Sequence, residues 1–87
     1  MSDYELAYTE SAQAVLAALG TAEHVMMSKA LDVLRQDPYH PKSQPVHESD
    51  PTVREVSPTA NSLAIYHVLD NRWAVITILR INHDSLI

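Results

Sequence analysis

The sequence predicts an α+β domain in which a helical hairpin packs on a small antiparallel sheet, in the order β-α-α-β-β-β. Three observations carry this. Apolar residues alternate with polar ones at the start of the chain. From Ala12 to Leu34 they recur at helical spacing instead. From Thr52 onward, runs rich in Val, Ile, Leu and Tyr return to strand character.

Each element follows from local chemistry. Tyr4, Leu6 and Tyr8 alternate along Tyr4–Thr9 and predict a short strand. Thr9 or Ser11 can cap a first helix, because a hydroxyl oxygen accepts an otherwise unpaired N–H of the first turn. Ala12, Val15, Leu16 and Leu19 form its apolar line, and Gly20, the chain's single glycine, stands where a helix ends. Thr21 can cap a second helix whose expected buried stripe is Val25, Met26, Ala30, Val33 and Leu34, widened by Met27 and Leu31. Asp37-Pro38 stops it, since proline disfavours helical geometry in the residue before it. Residues 37–51 hold four of the five prolines and almost no apolar residues, and are expected to be an extended, mobile loop. Val53–Val56 begins the sheet proper, and Ser57–Asn61 is a turn. Leu63–Leu69 and Trp73–Ile81 read as strands joined by a two-residue Asp70-Asn71 turn. The last strand is apolar on both faces, which points to an interior place in the sheet. Trp73, Met26 and Met27 are expected in the core.

Composition narrows the function. Eighty-seven residues are expected to form a single domain, 1–87, with the proline-rich loop at 37–51. The absence of cysteine excludes thiol nucleophiles, disulfides and thiolate zinc sites. One glycine is too few for a phosphate-cradling loop. His40 and His47 share a stretch with Asp37, Glu48 and Asp50 but lack metal-ligand spacing, so no metal and no cofactor is expected. The longest uncharged run is too short to span a bilayer, and the acidic start lacks a signal peptide's basic and apolar blocks, so a cytoplasmic protein is expected. The net charge of −5 argues against a generic nucleic-acid binder. That charge is localised: residues 1–36 carry five acids and two bases, 37–51 three acids and one base, and 52–87 three of each.

Three stretches carry a family resemblance. Tyr4-Glu-Leu-Ala-Tyr-Thr-Glu-Ser-Ala looks like an opening strand running into a first helix. Val53-Arg54-Glu55-Val56, followed by Leu63-Ala-Ile-Tyr66-His-Val-Leu-Asp70, is similar to an arginine-bearing strand and its tyrosine-bearing neighbour. Ile78-Leu79-Arg80-Ile81-Asn82-His83 is close to a "Leu-Arg-Ile-x-His" ending. In this order and spacing they resemble the RelE/ParE superfamily of type II toxin–antitoxin modules, with a ParE-like ending. Where many ribosome-dependent members carry an arginine, this chain has Leu63.

The resemblance implies a growth-inhibiting toxin neutralised by a cognate antitoxin, with which it could form an oligomer. The implied targets are the ribosome and its mRNA or DNA gyrase. For an endoribonuclease, Arg54 and Arg80 would hold phosphate, because a guanidinium pairs its planar fork with phosphate oxygens. His83 would be the acid or base near neutral pH, with His67 a secondary candidate. Lys42 and Arg54 would contact nucleic acid. The plainer readings are a solvated Arg54, an Arg80 in a cross-strand ion pair, and a capping His83. Strand alternation places Arg80 and Asn82 on one face and His83 on the other, which weighs against a catalytic set. Gyrase inhibition needs binding only, and a non-toxic binding protein retaining the fold is a third reading.

Overall fold

The computed structural model describes residues 3–70 and 72–86. Strand β1 (Glu5–Tyr8) leads into helix α1 (Glu10–Ala18) and helix α2 (Thr21–Asp32), which continues as a 3-10 turn over Val33–Arg35. Four strands follow: β2 (Gln44–His47), β3 (Asp50–Val56), β4 (Ser62–Leu69) and β5 (Val75–His83). They build one sheet with β1 in the order β1-β5-β4-β3-β2. The α+β class and the helical hairpin are as expected. The sheet is mixed, because β1 runs parallel to β5 while the other pairs are antiparallel. β5 does take an interior place, between β1 and β4.

Both helices lie on one face of the sheet. Ala12, Leu16 and Leu19 join Met27, Leu31 and Leu34 against Ala64, Tyr66 and Val68 of β4 and Ile76, Ile78 and Ile81 of β5. Thr9 caps α1: its hydroxyl oxygen accepts the Ala12 N–H at 3.2 Å and its O–H donates to the Leu79 carbonyl at 2.8 Å. Gly20 takes the N-cap position of α2 in ordinary extended geometry, so Thr21 is the first helical residue rather than the cap. The apolar stripe of α2 is also rotated from its expected phase. The i, i+4, i+7 line Met27, Leu31, Leu34 is buried, whereas Met26 is 58% exposed and Val25 and Val33 are exposed with it. Apolar residues spread over a wide arc of this helix, and docking on α1 and the sheet decides which part of that arc faces inward. At the end of the hairpin, Tyr4 N–H donates to the Arg35 carbonyl at 2.9 Å, and Arg35 Nε donates to the Tyr4 carbonyl at 3.1 Å.

Residues 37–51 are not one loop. Gln44–His47 pairs antiparallel with β3, which starts at Asp50 rather than after Thr52. Pro45 has no N–H to donate, which an edge strand tolerates, and the register slips between Pro45 and His47. The β4–β5 connection also differs from expectation. Leu69 pairs with Val75, so the chain reverses between these two residues rather than over Asp70-Asn71 alone, and Asn71 lies outside the described residues. Trp73 belongs to this turn and is 62% exposed, not core. Ala74 has a φ of 47°, a strained value for a residue with a Cβ.

One irregularity sets the faces of β5. Ile65 pairs with Arg80, but the next residue, Tyr66, pairs with Ile78, so Leu79 is an extra residue. Ile76 and Ile78 point at the helices before this bulge, and Ile81 and His83 do so after it. Tyr66 is fully buried below, and its hydroxyl donates to the Pro38 carbonyl at 2.6 Å. Tyr66→Phe should therefore cost about 1–3 kcal/mol, since the buried carbonyl loses its donor, read as a lower urea midpoint at unchanged m-value.

Candidate functional site

The sheet has a second face that neither helix covers. Cross-strand pairing assigns its residues. One row runs Gln44, Glu55, Ile65, Arg80 across β2, β3, β4 and β5. The next runs Val53, His67, Thr77, Ala7 across β3, β4, β5 and β1. Leu63 lies opposite Asn82, and Leu69 opposite Val75. Gln44 donates from Nε2 to Glu55 Oε1 at 2.7 Å. Near His67 and His47, the Asp50 carboxyl is held below its ordinary range, first by the Thr52 hydroxyl, then by the Thr52 N–H, with the two imidazoles adding less.

The residues singled out by sequence do not converge here. Arg80 does lie on this face, exposed, and its cross-strand neighbour is Ile65. The expected cross-strand ion pair is not made: among the described residues Arg80 has no salt-bridge partner. Arg54 pairs with Tyr66 and so faces the helix side, where it is buried. Its Nε donates to Ser43 Oγ at 3.0 Å, one terminal nitrogen to the Pro51 carbonyl at 3.1 Å, and the other to the Ser43 carbonyl at 3.3 Å. The Tyr39 ring covers it, with the guanidinium carbon 5.1 Å from the ring centroid. Arg54 is therefore neither solvated nor open to a phosphate; it clamps the segment before β2 onto β3. Lys42 is exposed next to Ser43, beside a cleft lined by Ala30, Val33, Leu34, His40, Val56 and Pro58. His83 is buried on the helix side, where its Nδ1 accepts the Ser85 N–H at 3.1 Å and lies 2.8 Å from Ser85 Oγ. In the neutral ring this leaves the proton on Nε2, and the residue acts as a cap for the turn Asp84–Leu86.

Arg80 is thus, among the described residues, the one arginine or lysine whose strand position puts it on the open face. A single guanidinium beside His67, Thr77 and Asn82 can hold one anionic group, but among the described residues no second arginine or lysine on this face supports it. Among the described residues no three His, Asp or Glu side chains converge as metal ligands, and no helix is long and apolar enough to cross a membrane.

A cluster that sequence reasoning missed closes one corner of the sheet. Asp70, at the end of β4, accepts hydrogen bonds from the hydroxyls of both Tyr39 and Tyr4. Those two donors, Tyr39 first, hold the Asp70 carboxyl below its ordinary range. The Tyr39 phenol is pushed from 10.0 up to about 12, first by loss of water around it and then by its bond to Asp70. Asp70 next to a turn reads from sequence as turn chemistry only, and nothing in its neighbours announces two tyrosines from distant segments.

No protein-family model matches the chain, and no curated protein matches it in sequence. Solved structures match it over almost its whole length. The toxin–antitoxin complex RelBE2 from Mycobacterium tuberculosis matches at 18% identity and a TM-score of 0.76, over 93% of this chain and 98% of that one. The isolated RelE toxin of E. coli matches at 17% and 0.75, over 92% of this chain and 83% of that one. The YoeB/ParE toxin from Agrobacterium tumefaciens matches at 12% and 0.73, over 91% and 96%. The chain shares the fold of these toxins.

Two outcomes follow from the geometry. Arg54→Ala should destabilise by about 3 kcal/mol or more, because buried acceptors lose their charged donor, while Arg80→Ala should stay within about 0.5 kcal/mol; urea unfolding separates the two. Tyr39 holds its proton more tightly when folded than unfolded. Its contribution is therefore complete below pH 10 and lost as pH rises from about 10 toward about 12. Tyr39→Phe should flatten that alkaline fall in the thermal midpoint, without abolishing it, since Tyr4 and Tyr66 are also raised.

Proposed function

We propose that this chain is the toxin of a type II toxin–antitoxin pair, that it arrests growth by binding its target rather than by cutting RNA, and that a cognate antitoxin neutralises it. The observation that carries the first part is the fold match, which spans more than nine-tenths of this chain in structures that include RelE–RelB complexes, one of them archaeal, from Pyrococcus horikoshii. The second part rests on the separation of Arg54, Arg80 and His83. Arg54 is spent on Ser43 and Pro51, His83 caps a terminal turn, and the two lie across the sheet from Arg80. A general acid or base must reach the reacting group, and these side chains do not share a site. The acidic chain also fits a protein target such as DNA gyrase better than a ribosomal RNA surface. Among the described residues one connected cluster of buried side chains supports reading 1–87 as a single domain, and we place that toxin domain in the cytoplasm.

A second reading, a ribosome-dependent mRNA endoribonuclease with a reduced active site, is favoured by one observation: Arg80 is exposed on the uncovered face with His67 and Asn82 nearby. Neither reading requires a metal or a cofactor.

Induced expression in a bacterial host should stop growth, and co-expression of the antitoxin gene next to its own should restore it. Unchanged growth would leave only a fold-retaining binder. With the purified chain, inhibition of gyrase supercoiling without message cleavage in a reconstituted translation reaction is the expected result. Cleavage of ribosome-bound message that is lost in Arg80→Ala would establish the second reading instead.

A further inference from the structure

We propose that the open face of the sheet is self-complementary and that two copies of this chain pack on it face to face, about a two-fold axis parallel to β4. The argument starts from strand order. β4 is the middle strand of five, with β5 on one side and β3 on the other. Along its uncovered side β4 presents Leu63, Ile65, His67 and Leu69, while β3 adds Val53 and β5 adds Val75. Among the described residues no helix lies over these side chains. Leu69 is 38% exposed, and the others are half-buried. The leucines, isoleucine and valines make this face largely apolar, interrupted by His67, and apolar patches of this kind commonly mark interaction surfaces.

The charges choose the occupant. Glu55 and Arg80 stand at one level of the sheet, on either side of Ile65. Each lies about 4.8 Å from it, one strand spacing away. Among the described residues Arg80 makes no ion pair, and Glu55 receives only the Gln44 amide. Rotation about an axis along β4 lays β5 of one copy over β3 of the other. Each Arg80 then meets Glu55 of the other copy, twice per dimer, with Ile65 against Ile65 between them. Rotation about an axis across the strands would instead set Arg80 against Arg80 and Glu55 against Glu55. Only the first arrangement satisfies an isologous interface and complementary charge together. It is also the aligned packing that two stacked sheets prefer, with strands within about 30° and layers about 10 Å apart, a gap that facing arginine and glutamate side chains span. His67 meets its own copy across the axis, a contact that neutral imidazoles make as donor and acceptor. The face measures about 20 Å by about 20 Å, less than a standard interface offers, so the dimer is concentration-dependent.

This inference does not rest on the toxin reading, and the growth assay can fail while it stands. The test is sedimentation equilibrium of the purified full chain from about 1 to about 200 μM, a range that brackets a weak interface. A monomer–dimer equilibrium within that range is expected. Glu55→Arg and Arg80→Glu should each weaken association about tenfold or more, and the double exchange should recover to within about threefold of the parent. Circular dichroism checks each fold; if a reversal unfolds the chain, Glu55→Gln and Arg80→Gln replace it, each expected to weaken association about threefold or more. A chain that stays monomeric throughout overturns the proposal. So does a dimer indifferent to both substitutions, or one that the double exchange fails to recover. A monomer that instead binds an RNA oligonucleotide through Arg80 would make this face a nucleic-acid surface and overturn it equally.

Discussion

Three isoleucines of β5 must reach the same core, yet they are not evenly spaced. Ile76 and Ile78 are two apart and Ile81 is three further on, while a regular strand turns alternate residues to alternate faces. The extra residue at Leu79 resolves the conflict and keeps Ile81 and His83 on the helix side. The same bulge turns Arg80 outward. Without it, a charge would point into the apolar layer between sheet and helices, and Ile81 would face water. The core and the chemistry of the open face therefore depend on one backbone irregularity.

The opposite half of the sheet is organised by Arg54. Its guanidinium reaches back to Ser43 and Pro51 and lies under the Tyr39 ring, while Tyr39 and Tyr4 close on Asp70 and Tyr66 reaches Pro38. A stretch with four prolines and little apolar content has almost nothing of its own to fold around. Polar contacts to a buried cation supply the order that apolar burial supplies elsewhere, and they turn part of this stretch into an edge strand. The residue that resembles a phosphate-binding arginine is, in this chain, committed to folding.

Much of the architecture could be read from periodicity. The alternation at Tyr4–Tyr8, the cap at Thr9, the helical line through Ala12 and Leu16, and the three later strands all rest on local rules that hold here. What could not be read depends on distant partners. The phase of α2 was hidden because Met26 and Met27 are chemically equivalent and only docking separates them. β2 was hidden because Pro45 argues against a strand unless the strand is known to be an edge. Trp73 reads as core by its size, although it lies in the connection between Leu69 and Val75, whose length the sequence does not disclose. For the candidate site, alternation correctly separated His83 from Arg80. The burial of Arg54 follows from its pairing with Tyr66, which requires knowing the register.

The pairing of β1 with β5 bears on how the chain comes to exist at all. Glu5 lies against Val75, so the first strand finds its place only after nearly all of the chain is present. Contacts of such long sequence separation close large loops and form slowly. During synthesis the helical hairpin and the β2–β3–β4 meander can assemble from local contacts, but β1 has no strand to pair with until β5 emerges. β5 is the strand that joins β1 to the β4–β3–β2 meander, and it also carries the bulge and Arg80. The finished surface is thus withheld until translation of β5 is complete, and a prematurely terminated chain would lack both the joined sheet and its outward-facing arginine.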